Sequence, residues 1–237
     1  MKETKIILDL CGGTGSWAKP YKDAGYKVHT ITLPECDILK TIIGKDDITF
    51  VGKDKITGEK GLMIMKSAIY GILAAPPCTM FSFARTNAKT PRDLKEGMAC
   101  VRMCLDIIWS CMEVKQDTIK KTLPLQFWAL ENPYHGFLKK FLSTPAFTFD
   151  PWEFGEAYQK RTALWGHFNE PKKSPVPMTK EAKDKAKTNS TLHTLGVKFD
   201  YLKSKDIHPE AFGKFDRQTR RSITPAKFAQ AFYEANK

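Results

Sequence analysis

The stretch Gly71-Ile-Leu-Ala-Ala-Pro-Pro-Cys-Thr-Met-Phe-Ser82 decides how the chain is read. The run from Tyr70 to Ala75 is short and apolar, the pattern of a buried strand. Pro76 and Pro77 stop it, because a proline has no N–H to give to a sheet ladder. Cys78 then falls just past the strand's carboxyl end, the edge at which open α/β sheets bind ligands. A thiol on a stiff two-proline turn suits a nucleophile. It equally suits a small buried hydrophobe, since free cysteine packs well and is often inert. The tripeptide alone does not choose between them.

Upstream, Lys5-Ile-Ile-Leu-Asp-Leu10 reads as a first parallel strand ending in an acid. Cys11-Gly-Gly-Thr-Gly15 follows, then a short helix from Ser16 to Gly25, with Ser16 as a candidate N-cap and Pro20 in the first turn. Strand, glycine loop and helix form the entry of a Rossmann-like unit, in which glycines let backbone approach a ligand at a helix N-terminus. Only Gly13-x-Gly15 fits the dinucleotide fingerprint, so a nicotinamide site is poorly matched. A tight turn that packs helix on strand is the plainer reading of the same residues. Tyr26 to Leu33 predicts a second strand, after which Glu35 or Asp37 stands where a ribose or adenine could be met, or serves as an ordinary loop acid. Residues 44–61 predict short strands and turns, with Ile48-Thr-Phe-Val51 the clearest strand.

Downstream, Thr79 to Pro91 predicts a loop that could cover a site. Arg92 to Gln116 predicts the longest helix, with Leu94, Met98, Val101, Leu105, Ile108 and Met112 as its core stripe. Leu125 to Leu130 predicts a strand closing on Glu131-Asn132-Pro133, and Tyr134 to Leu142 a short helix. Phe147 to Phe154 predicts an edge strand and Thr162 to Gly166 a final one. Residues 169–216 are rich in Lys and Pro without sustained periodicity, and read as an irregular insert. Thr224-Pro225 opens a last amphipathic helix carrying Phe228, Ala231 and Phe232 on one face.

The fold expected is therefore α/β, a doubly wound parallel sheet with one small appendage, which suits 237 residues of which 42% are hydrophobic. No apolar run of about 18 residues predicts a membrane span, and no signal-peptide pattern precedes the first strand. Six cysteines without a Cys-x-x-Cys pair argue for a reducing compartment rather than a disulfide scaffold, and no metal-ligand set is evident. The net charge is +12. From Gly166 to Lys237 there are fifteen Lys and Arg against eight Asp and Glu, so the surplus is concentrated in the last third. Such a bias fits a polyanionic partner, most simply nucleic acid, or a solvated lysine-rich surface.

Asp9 with its glycine loop, Cys78 and Glu131 all stand at strand ends that a parallel sheet gathers on one edge. A thiolate can add to an electron-poor pyrimidine while an acid meets the ring nitrogen and a methyl donor lies alongside. In order, Asp9-Leu-Cys-Gly-Gly-Thr-Gly15, Pro76-Pro-Cys78, Glu131-Asn132 and Gln159-Lys-Arg161 resemble the motifs of the DNA cytosine-5 methyltransferases. Ser222-Ile-Thr-Pro-Ala-Lys-Phe-Ala229 resembles the family's last motif, and the chain as a whole is similar to its compact, phage-borne members. The similarity covers residues 5 to about 166 and again 217–235.

The resemblance implies a Rossmann-like S-adenosylmethionine-dependent methyltransferase core over residues 1–166. It implies a small basic target-recognition-like insert over 167–216 and a segment returning to the core over 217–237. It implies that Asp9, Leu10, Cys11, Gly12, Gly13, Thr14 and Gly15, with Trp17, Asp37 and Pro76, hold S-adenosylmethionine. Cys78 would attack carbon 6 of a cytosine taken out of the helix, Glu131 would hold the ring nitrogen and amine, and Arg161 the base or its phosphate. DNA, double- or single-stranded, is the expected partner, the protein a monomer in the cytoplasm of a bacterial host. Lys172, Lys173, Lys183, Lys185, Lys187, Arg217, Arg220 and Arg221 are candidates for phosphate contacts.

Three positions depart from the family pattern. Cys11 stands where an aromatic is usual, Pro133 where valine follows Glu-Asn, and Ala163 where a second arginine is usual. Two other functions are compatible with the residues. Asn132-Pro133-Tyr134 resembles the site of exocyclic-amine methyltransferases with one proline missing, which would make Cys78 dispensable. A non-catalytic relative that binds nucleic acid or a partner is the other.

Overall fold

The computed structural model describes residues 5–55, 57–83, 88–114, 125–156, 158–175, 197–198, 211 and 213–237. Most of the expected 167–216 insert, with Lys183, Lys185 and Lys187, lies outside the described residues.

A six-stranded sheet organises the molecule. Its strands are β1 (Ile6–Leu10), β2 (Lys27–Ile31), β6 (Ile69–Ala74), β7 (Phe127–Pro133), β8 (Phe147–Phe149) and β10 (Thr162–His167). They lie in the order β2-β1-β6-β7-β10-β8. The first four are parallel, but β10 runs antiparallel to β7 and β8 antiparallel to β10. The sheet is mostly parallel and compatible with a Rossmann-like fold. The expectation of a parallel sheet throughout fails at the β8–β10 edge, where β10 pairs antiparallel with both β7 and β8.

From β1 the chain passes to β2 on one side and later to β6 on the other. The carboxyl ends of β1 and β6 thus flank a topological switch point, the crevice where such sheets bind ligands. Between β2 and β6 the chain makes an antiparallel sheet of β3 (Ile42–Ile43), β4 (Asp47–Lys53) and β5 (Lys60–Met65). Two residues, Tyr158–Gln159, form β9 and pair with β11 (Val197–Lys198).

The period-2 pattern of the strands sends side chains into two cores. Leu8, Leu10, Ile72, Ala74 and Leu130 face one layer, made by α2 (Leu94–Met112) and the inner side of β4 and β5. Ile7, Leu73, Phe127, Ala129 and Leu164 face the other, made by α1 (Lys19–Asp23) and the C-terminal helix. That C-terminal helix is preceded by a short one: α3 covers Lys139–Leu142, α4 Arg217–Ser222 and α5 Ala226–Asn236. The short helix expected over Tyr134 to Leu142 is therefore confined to its last turn. Gly71 has no room for a side chain, since a Cβ would fall 2.2 Å from the Phe127 ring.

Asp93 caps α2 by accepting from the Glu96 amide at 2.8 Å. Its buried stripe is Val101, Cys104, Ile107, Ile108 and Cys111, whereas Met112 is exposed. The stripe is thus rotated from the one expected, and the small thiols of Cys104 and Cys111 sit on the core side. On the opposite layer Phe228 stacks on Phe149 with ring centroids 3.8 Å apart, and Trp17 meets Phe232 edge-on at 5.4 Å. No described helix is long and apolar enough to cross a membrane.

Candidate active site

The loop after β1 is shaped by three left-handed residues, Cys11 (φ 56°), Gly13 (φ 56°) and Gly15 (φ 73°). Cys11 is unusual in this region for a residue with a side chain. Its amide bonds the Ile31 carbonyl at 2.7 Å, and its thiol is hydrogen-bonded to Cys104. That bond, with burial, pushes the Cys104 thiol well above the ordinary range. Gly15 closes the turn onto the Gly12 carbonyl at 2.9 Å. Ser16, read as a helix cap, instead accepts from the Thr224 amide at 2.9 Å, so the loop is braced by the segment entering α5. The helix itself starts at Lys19 with Pro20 in its first turn.

Directly beneath the loop lies Asp9, fully buried. Thr30 donates to its Oδ2 at 3.3 Å, and its Oδ1 has no hydrogen-bond partner. Burial is the chief reason its pKa rises to about 7, with the nearby Asp54 adding to it and the Thr30 bond opposing it. A Cβ on Gly12 would lie 2.1 Å from that carboxylate, so backbone and carboxylate are in close approach. An orphaned buried acceptor under a glycine cradle fits a ligand bearing a positive charge or N–H donors, and these are features of S-adenosylmethionine. The residues present therefore fit that group. Leu10 contributes only backbone, its carbonyl accepting from Ala75 at 2.9 Å while its side chain is core. Thr14 is half-buried in the turn. Trp17 is buried in the aromatic cluster rather than at the loop's open side, because its indole packs on Phe228 and Phe232. Asp37 caps a 3-10 turn by accepting from the Leu39 amide at 3.1 Å, and remains partly exposed.

Cys78 is half-buried at the head of the turn after β6, its carbonyl accepting from the amides of Phe81 and Ser82, each at 2.9 Å. Arg92 clamps that turn by donating to the Met80 carbonyl and, at 3.0 Å, to the Ser82 carbonyl. The turn is also pinned to the one after β7, since Phe137 donates to the Phe81 carbonyl at 2.9 Å. Pro76 is buried, and its carbonyl accepts from the Asn132 side-chain amide at 2.9 Å. The turn that carries Cys78 and the end of β7 that carries Glu131 are therefore one unit.

Glu131 lies within β7, not beyond it, opposite Leu164 of β10. Burial raises its pKa above the usual carboxylate range, and Lys160 opposes the rise. Burial and the Glu131 charge push the Cys78 thiol up as well, while Lys160 and Arg221 pull it down. A carboxyl biased toward its protonated form suits proton donation, whereas the upward push on Cys78 opposes the thiolate that addition requires, so the thiol needs a further group to activate it.

Arg161 is turned elsewhere. Its guanidinium donates to Thr148 at 2.8 Å and to Asp150 at 3.3 Å, and lies 3.6 Å from Glu153. Lys173, expected on a phosphate, pairs with Glu153 at 2.8 Å. The amide of Asn132, on which the exocyclic-amine reading depends, is buried and committed to Pro76. Sequence reasoning missed Lys160 and Arg92. The first was masked by the neighbouring arginine of the motif, and the second has no local signal. Among the described residues, no group of three or more His, Cys, Asp or Glu is placed to hold a metal ion. A scan against protein-family models found no match, and neither did a search of curated proteins.

Proposed function

We propose that the chain is an S-adenosylmethionine-dependent DNA cytosine-5 methyltransferase of the compact phage-borne type, acting in the cytoplasm of a bacterial host. The observation that carries this reading is the association of Cys78 and Glu131, through the Asn132–Pro76 bond, beside the glycine loop of β1. The motif order of the sequence supports it independently.

S-adenosylmethionine, which Asp9 and the glycine turn would hold, would supply an electrophilic methyl group and leave as the neutral thioether once the methyl is transferred. Cys78, as thiolate, forms a bond to carbon 6 of an extruded cytosine, and the carbon 5–carbon 6 π pair becomes available at carbon 5. Glu131 gives its proton to ring nitrogen 3 as charge develops there, which its raised pKa favours. After carbon 5 gains the methyl group, its proton leaves to water and the freed pair restores the double bond as the Cys78 sulfur departs as thiolate. Glu131 takes back the proton from nitrogen 3.

The test is capture on DNA containing 5-fluorocytosine with the methyl donor present. A covalent adduct that maps to Cys78 and is absent from Cys78→Ser is expected. Base methylation at full rate by Cys78→Ser, or no adduct under conditions where the donor raises the melting temperature, overturns the reading.

A further inference from the structure

Two stretches meet beside the thiol: residues 76–92, which hold Cys78 and its turn, and residues 132–149, which follow Glu131. Neither contains an Asp or Glu, and both contain Lys or Arg and several aromatic residues. We propose that together they form a binding ledge for single-stranded DNA, on which a base next to the target cytosine stacks against Phe83. This rests on the methyltransferase reading for the cytosine at Cys78, but not for the strand state of the DNA that binds.

The ledge is built into the thiol's own turn. Ser82 donates to the Cys78 carbonyl at 2.9 Å, so Phe83 stands one turn of chain from the thiol. The segment between β7 and α3 supplies the other side. Phe137 donates to the Phe81 carbonyl at 2.9 Å, and Ser82 and Gly136 form an antiparallel bridge. A Cβ on Gly136 would lie 2.9 Å from the Phe81 carbonyl oxygen, so the close approach of the two backbones depends on that glycine. The pairing sets the rings of Phe83 and Phe137 edge to face, with centroids 4.9 Å apart.

Phe83 nonetheless remains 47% exposed. The backbone brace thus holds half of an apolar ring in water, where burial would be favoured. Cations surround it. Arg92 lies over the Phe137 ring at 4.9 Å and Lys140 over the same ring at 5.2 Å, while Lys139 lies over Tyr134 at 4.4 Å. Among the described residues these three cations rest on ring faces and not on carboxylates, so their charge is left for an outside partner. Uncompensated cations suit a phosphodiester backbone, and an open ring suits the face of a base. A duplex offers the phosphates but keeps its base faces stacked on one another. A single strand offers both at once.

The experiment measures, by fluorescence anisotropy, binding of an end-labelled, cytosine-containing DNA strand of about 20 nucleotides and of the blunt duplex of the same sequence, at about 0.15 M salt. The unaltered protein should bind the single strand about tenfold or more tighter than the duplex. Phe83→Ala and Phe83→Leu should each weaken single-strand binding about tenfold and duplex binding less than about twofold, and Phe83→Trp should restore it. Because Phe83→Leu keeps apolar volume without the ring, a loss common to both variants reports stacking rather than folding. Lys139→Gln with Lys140→Gln should flatten the salt dependence of single-strand binding. Duplex binding as tight as single-strand binding overturns the inference. So does binding of neither, an unchanged single-strand affinity in Phe83→Ala, or an equal loss for both forms of DNA. These measurements need neither the methyl donor nor the thiol. Failure of the unaltered protein to form an adduct on 5-fluorocytosine DNA in either strand state overturns the methyltransferase reading instead, and the binding arm still decides the ledge.

Discussion

The side-chain amide of Asn132 donates to the Pro76 carbonyl at 2.9 Å, out of contact with solvent and across 56 residues of sequence. It is the bond that holds the acid-bearing end of β7 against the thiol-bearing turn after β6. Asn132→Ala should lower the unfolding free energy by about 1–3 kcal/mol, because a buried carbonyl loses its donor. It should also reduce covalent capture by Cys78. Urea denaturation and adduct yield, measured on the same preparation, check both.

Asp9 makes stability depend on pH in a defined direction. Its native pKa is about 7, against 3.8 when unfolded, so between those values the native state retains a proton that the unfolded state has lost. Stability is then greatest below the lower value and falls as pH rises, by up to about 1.4 kcal/mol per pH unit, levelling off above 7. Asp9→Asn should flatten the fall between pH 5 and 7, as read from urea midpoints. A cationic ligand that meets Oδ1 should favour the carboxylate, so binding at pH 6 should release a proton, visible by calorimetry in two buffers of different ionisation enthalpy.

The glycine loop separates two kinds of substitution. At Gly12 a methyl group would collide with the Asp9 carboxylate at 2.1 Å, and that carboxylate is buried and cannot swing away. At Gly13 there is open room, the nearest atom being the Ser222 hydroxyl at 3.9 Å, but the backbone is left-handed. Gly12→Ala should abolish stabilisation by S-adenosylmethionine in a melting assay. Gly13→Ala should cost about 1–2 kcal/mol of stability while leaving more of the ligand response.

Phe228→Ala should destabilise the protein by about 3–5 kcal/mol. The ring is fully buried and meets Phe149, Phe154, Trp17 and Phe232. Its loss opens a cavity that the stiff neighbouring rings cannot fill. Chemical denaturation is the direct measurement.

The strands were legible where apolar runs were bounded by glycine or proline, as at Ile6–Leu10 and Ile69–Ala74. Their parallel order followed from alternation with helices. The reversed direction of β10 was not legible, since nothing local in Thr162-Ala-Leu-Trp-Gly166 reports its neighbours. The same blindness explains Arg161. Its partners Thr148 and Asp150 are brought alongside only because β8 pairs with β10. Cys78 and Glu131 were singled out because each directly follows or closes a strand-like run, which places them at neighbouring strand ends without any knowledge of the pairing. Trp17 was read from its nearness in sequence to the glycines, and long-range aromatic packing with α5 decided its burial.

The hydrogen bond from the Thr224 amide to the Ser16 hydroxyl joins positions 208 residues apart. Synthesis from the amino end adds the brace 208 residues after the turn, so the turn stays unsupported over that whole interval and its maturation waits on the segment entering α5.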